Sequence, residues 1–533
     1  MDTQRLLLTV RTARYLRPAQ LLHRVRLRTQ RQVVRRAPGL VASALRRPRP
    51  AGAGWPVDFS PVDARTAVPY DPQGLDAGRL TLLGHTRQVD DWRSTDPPQL
   101  WRYHLHYWDW AWGLAQHPDR LRARADFRRL FTRWQEQTMF GRWDEWSPYV
   151  VALRAWSWCG QYDSLVRGAD FDDDFVDLLG LHAAYLRAHL ELDVGGNHLL
   201  KDLKALVGLA VFLSDDRLLA RTLRPLRQEV ARQVLPDGGH VERAPAYHCQ
   251  VLADLADLDG LLGARSPAWL AEAVLRMRTF LGLVLLPDGS VPLLNDGFPV
   301  PASMVAALQP GPPAPDGLTL LPHFGVAVLR RGPWHLLADV GLPCPDDLPA
   351  HAQADTLGFL LHHGSRRLVG EAGTSTYAPG PLRDHERGTA AHSTVQVDGL
   401  DSTEVWGAFR AARRARPTVL RAEDTGGALV LQAEHDGYRR LPGRPVHRRT
   451  WTVDAERVRV VDEVLGEGEH ELVARLHGTA PAVVEVSTGV LREVPTEHAD
   501  GWEQRRQATV LEHRTHARLP WRFEVTLRDG ESA

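Results

Sequence analysis

Apolar residues recur every three or four positions over most of the first 310 residues, and then mainly at every second position. From about residue 99 to 308 the pattern is helical throughout. Leu199, Leu200, Leu203, Leu206, Val207, Ala210 and Leu213 share one helix face, and Val251, Leu252, Leu255, Leu258 and Leu262 share another. Helices paired through short turns predict an (α/α) toroid, an incomplete barrel of helical hairpins. Residues 309–318 contain Pro310, Pro312, Pro313 and Pro315 and read as a linker. Beyond it, stretches at 326–329, 334–338, 357–361, 394–397, 428–432, 450–453, 458–461, 472–476 and 522–527 read as short strands of an antiparallel β-sandwich. The expected organisation is therefore a segment and linker over 1–55, a toroid over 56–308, the proline-rich linker over 309–318 and a sandwich over 319–533.

The N-terminal segment changes the picture of charge. The chain of 533 residues has a formal net charge of zero, which gives no reason to expect nucleic acid as a partner. Its first fifty residues, however, are rich in arginine from Arg5 to Arg49, with Asp2 as the only acid. Leu16, Leu21, Leu22, Val25 and Leu27 alternate with these arginines, the pattern of a basic amphipathic helix, and 48–54 reads as its linker. We expect the apolar face to pack on the next domain, with contact to a membrane surface or acidic partner as the alternative. No secretory signal or transmembrane run is legible, so the chain is expected to be cytoplasmic. Cys159, Cys249 and Cys344 have neither zinc spacing nor a disulfide framework and read as reduced thiols.

Two polar clusters stand before helices. The first is Gly195-Gly196-Asn197-His198; the second runs Asp237-Gly238-Gly239-His240-Val241-Glu242-Arg243-Ala244-Pro245-Ala246-Tyr247-His248. Each has a plain structural reading. Asn197 suits an N-cap, Pro245 a first helical turn and Asp237-Gly238-Gly239 a tight turn. Parallel helices would instead bring Asn197, His198, Glu242, Arg243 and Tyr247 to one rim.

These clusters resemble motifs of the heparinase II/III family of polysaccharide lyases. So do Trp101-Arg102-Tyr103-His104-Leu105-His106-Tyr107, Trp146-Ser147-Pro148-Tyr149 leading to Arg154, His351-Ala352-Gln353-Ala354-Asp355, Gly373-Thr374-Ser375-Thr376-Tyr377 and Ala391-His392-Ser393-Thr394-Val395. The likeness spans roughly residues 90 to 420. It implies cleavage of an acidic, uronate-containing polysaccharide by β-elimination. A base removes the proton on C5, an acid protonates the departing O4, and hydrogen-bond donors neutralise the neighbouring carboxylate.

By that likeness Asn197 would bind the carboxylate, assisted by His198 and Arg243, with Glu242 and Arg154 among the substrate-binding residues. Tyr247 would protonate the leaving oxygen and, for some sugar stereochemistries, act as base. A phenol, with an ordinary pKa of about 10, needs nearby cations for the second role. His351 is the other base candidate, close to neutrality if solvated. In relatives the sandwich holds zinc at positions matching Gln353, Glu371 and His392. A glutamine is a poor zinc ligand, so we expect no cofactor, with Glu371 and His392 the remaining metal candidates. Two other readings stay open. One is a glycoside hydrolase using carboxylates such as Asp237, Glu242 and Asp296. The other is a non-catalytic glycan-binding or assembly protein.

Overall fold

The structure is a computed structural model that describes residues 3–45, 52–478 and 482–529. Most of the linker expected over 48–54 lies outside the described residues. The chain divides into two compact units. One comprises Met1–Leu16, Val234–Gln250 and Leu275–Ala533; the other comprises Arg17–Gln233 and Val251–Val274.

The second unit is helical. Pro148–Leu165 is its central helix, buried over most of its surface and packed against Gln99–Tyr107, Arg120–Gln137, Asp172–His189 and Gly196–Phe212. The tryptophan-rich sequence explains this core. Trp108, Trp134 and Trp158 meet one another and Phe127, Phe131 and Phe175 in edge-on and tilted contacts, with ring centroids 5.1–5.5 Å apart. Trp101, Trp112, Trp146 and Trp156 are buried as well, whereas Trp143 is exposed. The tryptophans of this unit are therefore almost entirely core.

The first unit is built on two antiparallel sheets. One runs, in spatial order, Arg492–Gly501, Gln504–Arg518, Glu469–Gly478, Arg366–Gly370, Phe359–His363, Trp334–Asp339, Val326–Arg331 and Gly317–Leu321, with Val395–Val397 also pairing to Glu469–Gly478. The other runs Pro417–Asp424, Leu429–His435, Val446–Val453, Arg457–Leu465, Trp521–Asp529 and Ala482–Val486. Apolar residues of both sheets, among them Leu336, Phe359, Leu431, Trp451 and Val460, form one buried core. Phe280, Val284, Leu286 and Leu294 cover the other face of the larger sheet through Phe324, Val328, Leu337 and Leu360. Its central strands are thus buried on both sides, which is why Leu336, Leu337 and Ala338 are apolar in succession rather than alternating with polar residues.

Several expectations need correction. Asn197 is not an N-cap: Gly195, at φ 72°, takes that place without a side-chain cap, and Asn197 lies inside the first turn of Gly196–Phe212. The N-terminal segment forms helices at Thr3–Ala13, Pro18–Arg36 and Pro38–Leu45. Its apolar residues do not all pack, since Leu21, Leu22, Val25 and Val33 are exposed. All three cysteines are buried and unbridged.

Candidate active site

Within the first unit, three backbone segments converge on His351. The turn ending at Arg243 leads into the helix Pro245–Leu262. Asn295 links this turn to the histidine loop: its Nδ2 donates to the Arg243 carbonyl at 3.0 Å, and its Oδ1 accepts from the Gln353 amide at 3.0 Å. The Asn295 amide in turn donates to Asp355 Oδ2 at 3.0 Å. Arg243, Asn295 and Leu357 all adopt positive φ, at 59°, 53° and 63°. Such left-handed backbone at three non-glycine residues carries strain that the surrounding bonds must hold.

The side chains that these segments present form one connected group. His351 Nδ1 lies 3.0 Å from Asp296 Oδ2 and His351 Nε2 lies 3.0 Å from Glu242 Oε2. Arg383 donates to the same Asp296 oxygen at 2.7 Å, and Gln353 Nε2 donates to Asp296 Oδ1 at 2.9 Å and to Thr374 Oγ1 at 3.0 Å. Tyr247 stacks on His351, with ring centroids 3.8 Å apart, and its hydroxyl is 2.6 Å from that of Tyr377. The Arg383 guanidinium lies over the Tyr377 ring at 5.0 Å. Each phenol ring therefore rests against a cation.

His351 differs from the solvated, near-neutral imidazole expected. It is buried, and although burial opposes its charge, the bonds to Asp296 and Glu242 outweigh that and raise its pKa to about 9. Burial likewise disfavours ionised Asp296, but the Arg383 charge and the bond from His351 hold it well below the usual carboxylate range. At neutral pH His351 is an imidazolium with both N–H groups bound to carboxylates. It has no lone pair with which to accept a proton.

Around the two phenols lies an aromatic rim that pattern reading did not single out. Phe298 meets Tyr247 and Trp502 at centroid distances of 5.8 and 5.4 Å, and Trp502 and Phe409 meet Tyr377 at 4.7 and 5.2 Å. Trp502 occupies the turn between Arg492–Gly501 and Gln504–Arg518, tied to the Tyr377 loop by the Glu503 amide on the Ser375 carbonyl at 2.8 Å. Phe298, Tyr377 and Trp502 are half-buried and Phe409 is exposed. No sequence signal marked Trp502, Phe298 or Arg383, because their proximity depends on strand pairing and loop closure.

The other expected residues are placed differently. Arg243 donates to the Phe324 carbonyl, a contact that orders the adjoining strand entry. Asn197 and His198 belong to the helical unit. There Asn197 is buried, while His198 pairs with Glu191 at 3.1 Å and lies tilted against the Tyr149 ring at a centroid distance of 4.3 Å. Arg154 is fully buried, contrary to a substrate-binding role. It donates to the Glu145 carbonyl at 2.8 Å and to His182 at 3.1 Å, and lies within 4.8–5.6 Å of the rings of Trp134, Trp146 and Trp158. Desolvation lowers its pKa to about 9, and no face remains for a sugar acid.

The carboxylates of the hydrolase reading are also engaged. Asp237 accepts from the amides of His323 and Phe324 at 2.9 and 2.7 Å, and Glu242 and Asp296 flank one imidazole instead of facing each other across open space. At the positions implied for zinc, His392 Nδ1 pairs directly with Glu371 Oε2 at 2.6 Å, and the Gln353 amide is held by Asp296 and Thr374. Among the described residues no group of three or more His, Cys, Asp or Glu is arranged to hold a metal. This donor set does not fit a closed zinc site.

The architecture defines the fold class: a helical toroid followed by an antiparallel sandwich, as in the solved heparinase III and the heparan sulfate lyase of Pedobacter heparinus. The chain belongs to the heparinase II/III family. Residues 91–310 match the Heparinase II/III N-terminus model and residues 313–530 the Heparinase II/III-like, C-terminal model. FtsZ-localized protein C of Caulobacter vibrioides is 30% identical over 443 residues, covering 79% of this chain and 73% of that protein. Heparin-sulfate lyase of Pedobacter heparinus is 25% identical over 353 residues, covering 58% of this chain and 53% of that one. A solved heparinase III matches with a TM-score of 0.70 at 16% identity, covering 94% of this chain and 91% of the other.

Proposed function

We propose that the chain is a polysaccharide lyase that cleaves an acidic, uronate-containing glycan by β-elimination. The observation that carries the reading is the pair of hydroxyls of Tyr247 and Tyr377, 2.6 Å apart with a cation against each ring. In this reading Tyr247, as phenolate, takes the proton from C5. The C5–H electrons form the C4=C5 bond, the C4–O4 bond breaks, and the proton passes from Tyr247 to O4. His351 and Arg383 stabilise negative charge on the phenols, and Tyr377 holds the Tyr247 oxygen by a hydrogen bond. His351 is thus a positioning and charge-stabilising group, and the base is a tyrosine. The aromatic rim would stack on the apolar faces of sugar rings. Neutralisation of the uronate by Asn197, with His198, is carried over from the family likeness.

A second reading is favoured by the greater identity to FtsZ-localized protein C, whose name gives a location and no reaction. Here the chain would be a glycan-binding or assembly protein that retains the lyase fold. Purified protein incubated with heparan-type glycans, polyuronates and capsular polysaccharides separates the readings. Elimination gives an unsaturated product absorbing in the ultraviolet together with new reducing ends. Reducing ends without absorbance indicate hydrolysis, and binding with neither signal supports the assembly reading.

A further inference from the structure

The helix Pro18–Arg36 buries one seam, formed by Gln20, Leu27 and Val34 at heptad spacing. Its opposite side is not polar. Leu22 is 69%, Val25 64% and Val33 54% exposed. At about 100° per residue, Leu22, Val25, Thr29 and Val33 share a face directly opposite Leu27. Arg26 and Arg28, both exposed, border this stripe on either side, and Arg36 ends it. The following helix, Pro38–Leu45, leaves Leu40 78% exposed. In the other unit, Thr3–Ala13 repeats the arrangement. Trp406 Nε1 donates to Thr12 at 3.0 Å and Arg11 pairs with Glu404 at 2.9 Å, while Leu6, Leu7 and Val10 stay exposed.

Charge points to the occupant of this face. The first fifty residues hold 13 arginines and one acid, so of the 65 basic and 65 acidic residues the rest of the chain carries 52 and 64. Within Pro18–Arg36 there is no acid at all, and Arg24 reaches Asp193 only at 3.7 Å. The exposed stripe has no aromatic anchor of the kind that dominates protein–protein hot spots. It is a straight, mainly aliphatic line about 17 Å long from Leu22 to Val33, with arginines along both borders. Such a face suits a lipid interface: aliphatic side chains reach the acyl boundary and guanidinium groups meet phosphates, their stems lying along the apolar surface. Among the described residues no helix is long and apolar enough to cross a membrane, so the mode is lying on the surface.

We propose that Pro18–Arg36 is an anchor that lies in the interface of an anionic bilayer, with Leu22, Val25 and Val33 inserted and Arg26, Arg28 and Arg36 at phosphate level. This inference is independent of the reaction proposed above. The test is flotation of the full chain with vesicles of phosphatidylcholine and phosphatidylglycerol, and with phosphatidylcholine alone. The chain should float with the anionic vesicles and not with the neutral ones. Leu22→Asp with Val25→Asp, and separately Arg26→Glu with Arg28→Glu, should each lower the bound fraction at least about tenfold. Thermal unfolding should be unchanged, because all four side chains face solvent. Failure to float, equal flotation with neutral vesicles, or variants that float like the parent would overturn the proposal. Capture by soluble polyglutamate without vesicle binding would also overturn it, indicating an acidic protein partner.

Discussion

Replacing His351 with glutamine tests whether this residue is a structural cation or a free base. The imidazolium touches Asp296 and Glu242 at 3.0 Å each, and its pKa is raised to about 9. The ordinary histidine value is about 6.5, so the shift corresponds to about 3 kcal/mol at 1.36 kcal/mol per unit. A folded-state pKa above the unfolded one gives stability that is fully present below about pH 6.5 and disappears as pH rises through about 9. His351→Gln removes that contribution and leaves Glu242 without its cation, whereas Asp296 keeps Arg383 at 2.7 Å. At pH 6 the variant's sandwich unit should therefore unfold roughly 6–12 °C below the parent. At pH 9.5 the gap should shrink to a small fraction of that. Differential scanning calorimetry at the two pH values reads both numbers. A gap of equal size at pH 6 and 9.5 would refute the charged histidine, and so would no gap at pH 6.

Three further outcomes follow from named contacts. Arg154→Met should destabilise the helical unit by about 2–5 kcal/mol, since it leaves the buried acceptors on His182 and the Glu145 carbonyl without their donor, while glycan binding by the folded fraction persists; a neutral effect in chemical unfolding would contradict the burial argument. Asn197→Ala should lower turnover more than it lowers stability: Gly195 holds the N-cap position, but Asn197 is buried, so chemical unfolding is measured beside turnover, and a fall in turnover no larger than the loss of folded protein would remove Asn197 from the reaction. Zinc content after purification should be well below one per chain, with thermal unfolding indifferent to chelators; tightly held stoichiometric zinc would show that Glu371 and His392 do accept a metal despite Gln353.

The change of hydrophobic period near Pro310 located the two kinds of architecture, because burial on one face leaves a trace that needs no partner to read. The strands Trp334–Asp339 and Trp521–Asp529 were legible for that reason. Gln504–Arg518 was not, because its fifteen residues are mostly polar and about half exposed, with few apolar positions to mark a strand. Gly317–Leu321 was hidden by the prolines before it. At the site, Glu242, Tyr247 and His351 were visible as motif residues, but their roles were not. The pKa of His351 depends on Asp296, 55 positions away, and the pairing of Tyr247 with Tyr377 spans 130 positions. Arg154 misled for a related reason: an arginine beside an aromatic motif looks the same in sequence whether it faces a ligand or three indole rings.

The most direct test of the account is to compare Tyr247→Phe with the parent on a glycan that the parent eliminates, measuring ultraviolet absorbance of the product and glycan binding side by side. The variant loses one hydroxyl next to Tyr377 and keeps the ring stacked on His351. Loss of a general acid–base group should lower turnover by about 10²–10⁴-fold, with binding and unfolding temperature close to those of the parent. Turnover at the parental rate would contradict the account, because Tyr247 would then be only the packing residue above a buried histidine.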